Sequence, residues 1–314
     1  MPAYSYATDL VEELAAMAGD VPAAIDVVRL PPPDRGTVRS RLRALVETVE
    51  TIAGPSGRPA PRPEVTGHPD RTVVRLPGLL RATGFHASSA LTVQLDLAPF
   101  EDLFKADPGD DELTGLLRQA GERLGLASLV PAGDRLTFER LWRIGGAGGG
   151  RPGRTAEPVL GRAVGAFRHF VREIPVYGRA SATVEVAAGG RLSSLSLSTR
   201  RFADDGGGET VATPGTRRPG EAAWEVASRV MEAFGGLEEL PGTILVPQWF
   251  RWGYLSLGRR RAQALLVPFY LASVGVRREH ETSAHLVAVP ATEERFVRTL
   301  PPGQRSAARS RQPA

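Results

Sequence analysis

ATVEVAAGGRLSSLSLST, residues 182–199, decides the fold class. In its first arm Ala182, Val184 and Val186 alternate with Thr183 and Glu185; in its second, Leu195 and Leu197 alternate with Ser194, Ser196 and Ser198. Strand side chains point to opposite faces in turn, so an apolar period of two predicts two half-buried strands. Between them Gly189 and Gly190 supply the positive φ that a tight hairpin turn requires.

Working outward toward the C-terminus, the glycines at 206–208 and Pro219 lead into a predicted helix of about 15 residues. Ala222, Val226, Val230 and Ala233 share one of its faces, and Gly235 and Gly236 close it. Three strands follow: Ile244–Phe250, Ala262–Val276 with a break at Pro268, and His285–Val289. Toward the N-terminus, residues 164–171 fit a helix or a strand, and Leu136–Ile144 reads as a strand running into the glycines at 145–150. Asp107, Pro108, Gly109 and Asp110 start a helix whose Leu113, Leu116, Leu117, Ala120 and Leu124 lie on one face, with a stop near Gly125. Period-two patterns mark strands from Thr72 and over residues 91–98. Residues 53–70, with Pro55, Pro59, Pro61, Pro63 and Pro69, read as a linker. Before them, helical spacing covers Thr37–Ile52 and Thr8–Met17, the latter N-capped by Thr8.

The order helix, strands, helix, strands, with short connections, predicts an α+β protein of antiparallel sheets packed by segregated helices. The expected organisation is an N-terminal helical segment (1–52), a Pro-rich linker (53–70), two α+β units (71–150 and 151–300) and a disordered basic tail (301–314).

Composition narrows the chemistry. A 42% hydrophobic, 24% charged chain of 314 residues belongs to a folded protein. The absence of cysteine removes disulfides, thiolate nucleophiles and cysteine-ligated metals. Lys105 is the only lysine, and part of the net charge of +4 sits in the tail at Arg305, Arg309 and Arg311, so a pI near 9.9 is weak grounds for nucleic-acid binding. The first 30 residues are acidic and carry no basic residue before Arg29, unlike a signal peptide, and no stretch is apolar enough for a membrane span. The expectation is a cytoplasmic protein with no membrane and no nucleic-acid partner.

The stretch Glu173-Ile174-Pro175-Val176-Tyr177-Gly178, followed by the Gly189/Gly190 hairpin, resembles the "VPVYG" strand and hairpin of fungalysin/thermolysin propeptides and related PepSY-like modules. Over residues 85–290 the layout is similar too: a helix ending in Leu124-Gly125-Leu126, a helix with Trp224 and Phe234, and the strand Val267-Pro268-Phe269-Tyr270. The resemblance implies a cystatin-like curved antiparallel sheet against a helix, and a role as chaperone or inhibitor of a partner. Neither a signal peptide nor a following protease domain is expected for this chain, a departure from the family's pattern.

Candidate chemistry is sparse. His280, Glu281 and His285 evoke a zinc motif, but its histidines must stand four apart on a helix, and five apart on a strand they face opposite ways. No metal and no cofactor is expected, and no catalytic residue is assigned. His169, between Phe167 and Phe170, is a polar position on an amphipathic element or a general base or anion contact. His86 beside Ser88 and Ser89 lacks a separate orienting group, and His68 lies in the linker. The glycine run at 145–150 lacks a P-loop's lysine. Arg259, Arg260 and Arg261 read as a solvated turn; anion contact would need aromatics or further basic residues beside them in space. Adjacent carboxylates such as Asp204/Asp205 and Glu238/Glu239 read as surface.

Trp249, Phe250, Arg251, Trp252 and Tyr254 stand out in a chain with 6% aromatics. Alternation places Phe250, Trp252 and Tyr254 on one face and Trp249 and Arg251 on the other. Such a strand fills a core, anchors a partner or lines a pocket. Two functional readings follow. The first is a non-enzymatic partner-binding or scaffold protein that recognises a protein across a sheet face or edge. The second is an accessory enzyme or small-molecule-binding protein, with Trp249, Trp252 and Tyr254 around a small apolar ligand and His169 or Arg251 supplying polarity.

Overall fold

The computed structural model describes residues 3–53, 62–96, 102–147, 157–179, 181–205, 208–233, 243–278 and 281–297. In chain order the elements are α1 (Ala3–Ala16), β1 (Val27–Arg29), α2 (Arg35–Ala53), β2 (Glu64–Gly67), β3 (Arg71–Leu76), β4 (Leu80–Phe85), β5 (Leu91–Leu95), α3 (Asp110–Arg123), β6 (Asp134–Gly146), β7 (Val159–Val171), β8 (Ile174–Tyr177), β9 (Ala182–Val186), β10 (Leu192–Leu197), β11 (Thr210–Ala212), α4 (Pro219–Ala233), β12 (Thr243–Leu255), β13 (Leu265–Leu266), β14 (Pro268–Arg278) and β15 (Glu281–Pro290). The fold is α+β with antiparallel sheets.

Two compact units share the chain, and they divide it differently from the expected linear order. The first takes the residues up to Arg29, Thr210–Leu255 and those from Leu265 onward; the second takes Leu30–Glu209 and regains Ser256–Ala264. The reason is strand pairing across long stretches of sequence: β5 and β10 are antiparallel neighbours, with Gln94 opposite Ser194, so residues 71–150 share one sheet with residues 159–197. The N-terminal helical segment is likewise split, α1 going to the first unit and α2 to the second. Within the expected linker, Glu64–Gly67 forms β2 by pairing with β3, although all four of its residues are exposed. The ambiguous residues 164–171 lie in the 13-residue strand β7. The glycines at 206, 207, 235 and 236, residues 97–98 and the tail fall outside the described residues.

In the first unit, α1 buries Ala7, Leu10 and Leu14 and α4 buries Ala222, Val226 and Val230 against Phe250 of β12 and Tyr270, Ala272 and Val274 of β14. These helix positions recur three and four apart, the spacing that gives a helix one apolar face. β12, β14 and β15 form consecutive antiparallel pairs, and β1 pairs with β11 and β13 in a separate small sheet.

In the second unit the strand order is β8-β7-β9-β10-β5-β4-β3-β2, and β6 also pairs with β7. Val74, Ala82, Val93, Leu195 and Val184 stand in register on one face, all buried. Onto the core they help form, α2 packs Val38, Leu42, Leu45 and Val49, and α3 packs Leu113, Leu117 and Ala120. Each such leucine contributes about 1.5–3 kcal/mol of burial. Asp34 starts α2: its carboxylate accepts the Thr37 N–H at 2.7 Å and the Thr37 hydroxyl at 3.0 Å, and these bonds hold its carboxyl below the usual range.

Candidate functional site

Because strand side chains alternate, the residues between the core positions of the second unit point to the other face of its sheet. There the register lines up a row of hydroxyls across four strands: Thr83 of β4 faces Thr92 of β5, Thr92 faces Ser196 of β10, and Ser196 faces Thr183 of β9. All four are half-buried. The next row out joins Arg81, Gln94, Ser194 and Glu185 by the same pairings. With neighbouring strands about 4.8 Å apart, each row sets polar groups at that repeat.

These rows form the floor of an open depression of about 490 Å³. Its charge is unbalanced. Arg71, Arg81, Arg179, Arg259 and Arg260 line it, with Glu185 as the single carboxylate among the described residues. Glu185 is already engaged by the hydroxyls of Ser193 (2.7 Å) and Ser194 (3.2 Å), while Arg71 stands 3.6 Å from Asp70. Arg81, Arg179, Arg259 and Arg260 have no carboxylate partner among the described residues. Arg259 lies over the ring of Phe85 at 5.1 Å. Burial, and then the charges of Arg179 and Arg260, depress the pKa of its guanidinium.

Two of these arginines sit on the returning loop, residues 256–264, and that loop is held by a buried cation. Arg200 donates to the Ser256 hydroxyl (3.2 Å) and to the carbonyls of Leu257 (2.5 Å), Gly258 (3.1 Å) and Arg261 (3.0 Å). Its acceptors among the described residues are all neutral, and burial pulls its pKa down to about 10. The Ser88 hydroxyl donates to the Arg259 carbonyl, and the Ser256 N–H donates to the Tyr177 carbonyl at 2.8 Å. Thus the backbone of the loop is anchored while its arginines reach the sheet.

Trp249, Arg251, Trp252, Tyr254 and His169, the binding residues expected from the sequence, are not among those lining the depression. Tyr254 and Phe250 are fully buried; the Tyr254 hydroxyl donates to the Asp26 carbonyl at 2.8 Å, and the Phe250 ring stacks on Tyr270 at 5.1 Å. Trp252 is half-buried and donates from Nε1 to the Asp20 carbonyl at 3.0 Å. Trp249 is half-buried opposite Ser273, and Arg251 is exposed. Trp252→Ala is therefore expected to lower the stability of the first unit by about 2 kcal/mol through lost packing and one hydrogen bond, read by urea unfolding.

His169 belongs to the second unit and is 1% exposed. Its Nε2 bonds Asp134 at 3.0 Å, and Asp134 also accepts from Arg201 Nη1 at 2.9 Å, a partner set that no local pattern announces. His86 bonds Thr72 at 2.9 Å and the Pro69 carbonyl at 3.2 Å. His280 lies outside the described residues, and His285 stands opposite Val274 in β15. No described helix is long and apolar enough to cross a membrane.

No protein-family model matches the chain, and no curated protein matches it. Among solved structures it is similar to an uncharacterized protein from Eubacterium rectale ATCC 33656, at 8% identity and a TM-score of 0.51, over 95% of this chain and 99% of that one. The likeness concerns the fold.

Proposed function

We propose that the chain is a non-enzymatic partner-binding protein, related in design to PepSY-like and cystatin-like modules, which docks an acidic protein on the sheet of its second unit. The observation that carries this reading is the depression lined by five arginines and one engaged carboxylate over a floor of hydroxyls. Guanidinium forks suit carboxylates, and hydroxyls both donate to and accept from a polypeptide. A protein is favoured over single-stranded nucleic acid because the one aromatic lining the depression, Phe85, is buried beneath Arg259 and offers no face for base stacking. The helix-backed sheet supports the PepSY-like comparison, in which recognition occurs across the sheet.

Fluorescence anisotropy with labelled poly-L-glutamate tests the reading. Wild type should bind, and binding should weaken steeply as salt rises from 50 to 300 mM. The Arg259→Glu/Arg260→Glu variant should bind at least tenfold more weakly with an unchanged unfolding midpoint. Equal binding by wild type and variant would remove the depression from the account.

A further inference from the structure

We propose that Arg179, Arg259 and Arg260, with the Ser196 and Thr83 hydroxyls, form a subsite for a phosphate-class dianion, presented as a phosphorylated side chain of the docked protein. The inference rests on the docking face described above and assigns its chemistry more narrowly. Arg179, Arg259 and Arg260 all line the depression, Arg179 and Arg260 stand near enough to act on the Arg259 guanidinium, and none is matched by a carboxylate among the described residues. A single carboxylate brings one negative charge and two acceptor oxygens, which leaves most of this positive field uncompensated. A phosphoryl group brings about −1.5 to −2 charges at pH 7 and three acceptor oxygens, enough for several charge-assisted bonds at once.

The surroundings suit that ligand. Arg200 and Ser88 engage the carbonyls of Leu257, Gly258, Arg259 and Arg261, so these oxygens do not compete for the rim guanidiniums. Phe85 holds Arg259 from below at 5.1 Å, which limits the conformational freedom its side chain must lose on binding. Threonine and serine hydroxyls on the floor turn freely to donate to phosphoryl oxygens. Glu185 is tied to Ser193 and Ser194.

The test uses full-length protein and three labelled acidic decapeptides identical except at one position, which is serine, glutamate or phosphoserine. Phosphoserine should bind at least tenfold more tightly than glutamate. That preference should fade from pH 7 to pH 5, as the phosphoryl group, with a second pKa of about 6, becomes a monoanion. Arg259→Gln/Arg260→Gln should abolish the preference, whereas Arg251→Gln in the first unit should keep it. Phosphoserine and glutamate peptides within twofold of each other would overturn the subsite and leave the docking face standing. So would a preference that survives Arg259→Gln/Arg260→Gln. Failure of all three peptides to bind would overturn both readings.

Discussion

Asp134→Asn is expected to destabilise the second unit by about 3–5 kcal/mol, the cost of leaving one member of a buried ion pair without its counter-charge. Asp134 is the single carboxylate between Arg201 Nη1 at 2.9 Å and His169 Nε2 at 3.0 Å, with 1%, 5% and 1% of the Asp134, Arg201 and His169 side chains exposed. Asparagine preserves the shape but removes the charge, so the Arg201 guanidinium becomes a buried cation among neutral groups. His169→Gln should cost less, about 1–2 kcal/mol, because one hydrogen bond is lost while the Asp134–Arg201 pair survives. Urea unfolding should show the ordering directly, with the Asp134→Asn midpoint lower by about 1–2 M. If His169→Gln were the more damaging change, histidine would hold the cluster together and arginine would be peripheral.

The other large effect is expected at Gly178. Its φ is +120°, a conformation that side-chain-bearing residues rarely adopt, and an added Cβ would stand inside contact distance of the Ser256 carbonyl oxygen. Gly178→Ala should therefore cost at least about 2 kcal/mol and displace the start of the returning loop. Because Arg259 and Arg260 ride on that loop, poly-L-glutamate affinity should fall at least fivefold even under conditions where the protein stays folded. Gly220→Ala, at a site where an added Cβ meets nothing within 4 Å, is the control and should leave affinity unchanged.

The hairpin of β9 and β10 was legible because valine and leucine alternate strictly with polar residues around Gly189 and Gly190, whose φ values are +67° and +70°. Helices α2, α3 and α4 were legible from apolar residues three and four apart. β2 was not, because a four-residue exposed strand flanked by prolines has no apolar face and exists by pairing with β3. β4 escaped because Leu80 is followed on its core-facing side only by Ala82 and Gly84, too small to mark an apolar face, and its strand form is imposed by β3 on one side and β5 on the other.

The site was legible only in fragments. Ser194 and Ser196 were visible as the polar half of an alternating strand, as were Thr92 and Gln94, but joining them into rows requires the register between β5 and β10, about 100 residues apart. The Arg259–Arg261 run lacked neighbours in the sequence; Phe85 and Arg179 reach it through the return of residues 256–264 to the second unit. His169 carried no hint of Asp134, 35 positions away, because β6 meets β7 only in the folded sheet. Small hydroxyls at successive outward positions of neighbouring strands, where longer charged side chains would serve solubility, are the signal by which this face could have been found.

Methyl NMR of threonine-labelled protein titrated with poly-L-glutamate tests whether the hydroxyl-floored sheet of the second unit is the docking surface. Thr83, Thr92 and Thr183 should shift together and saturably, while Thr243 in β12 and Thr292 stay in place. Shifts confined to Thr243 and Thr292, with the three floor threonines unmoved, would contradict that placement.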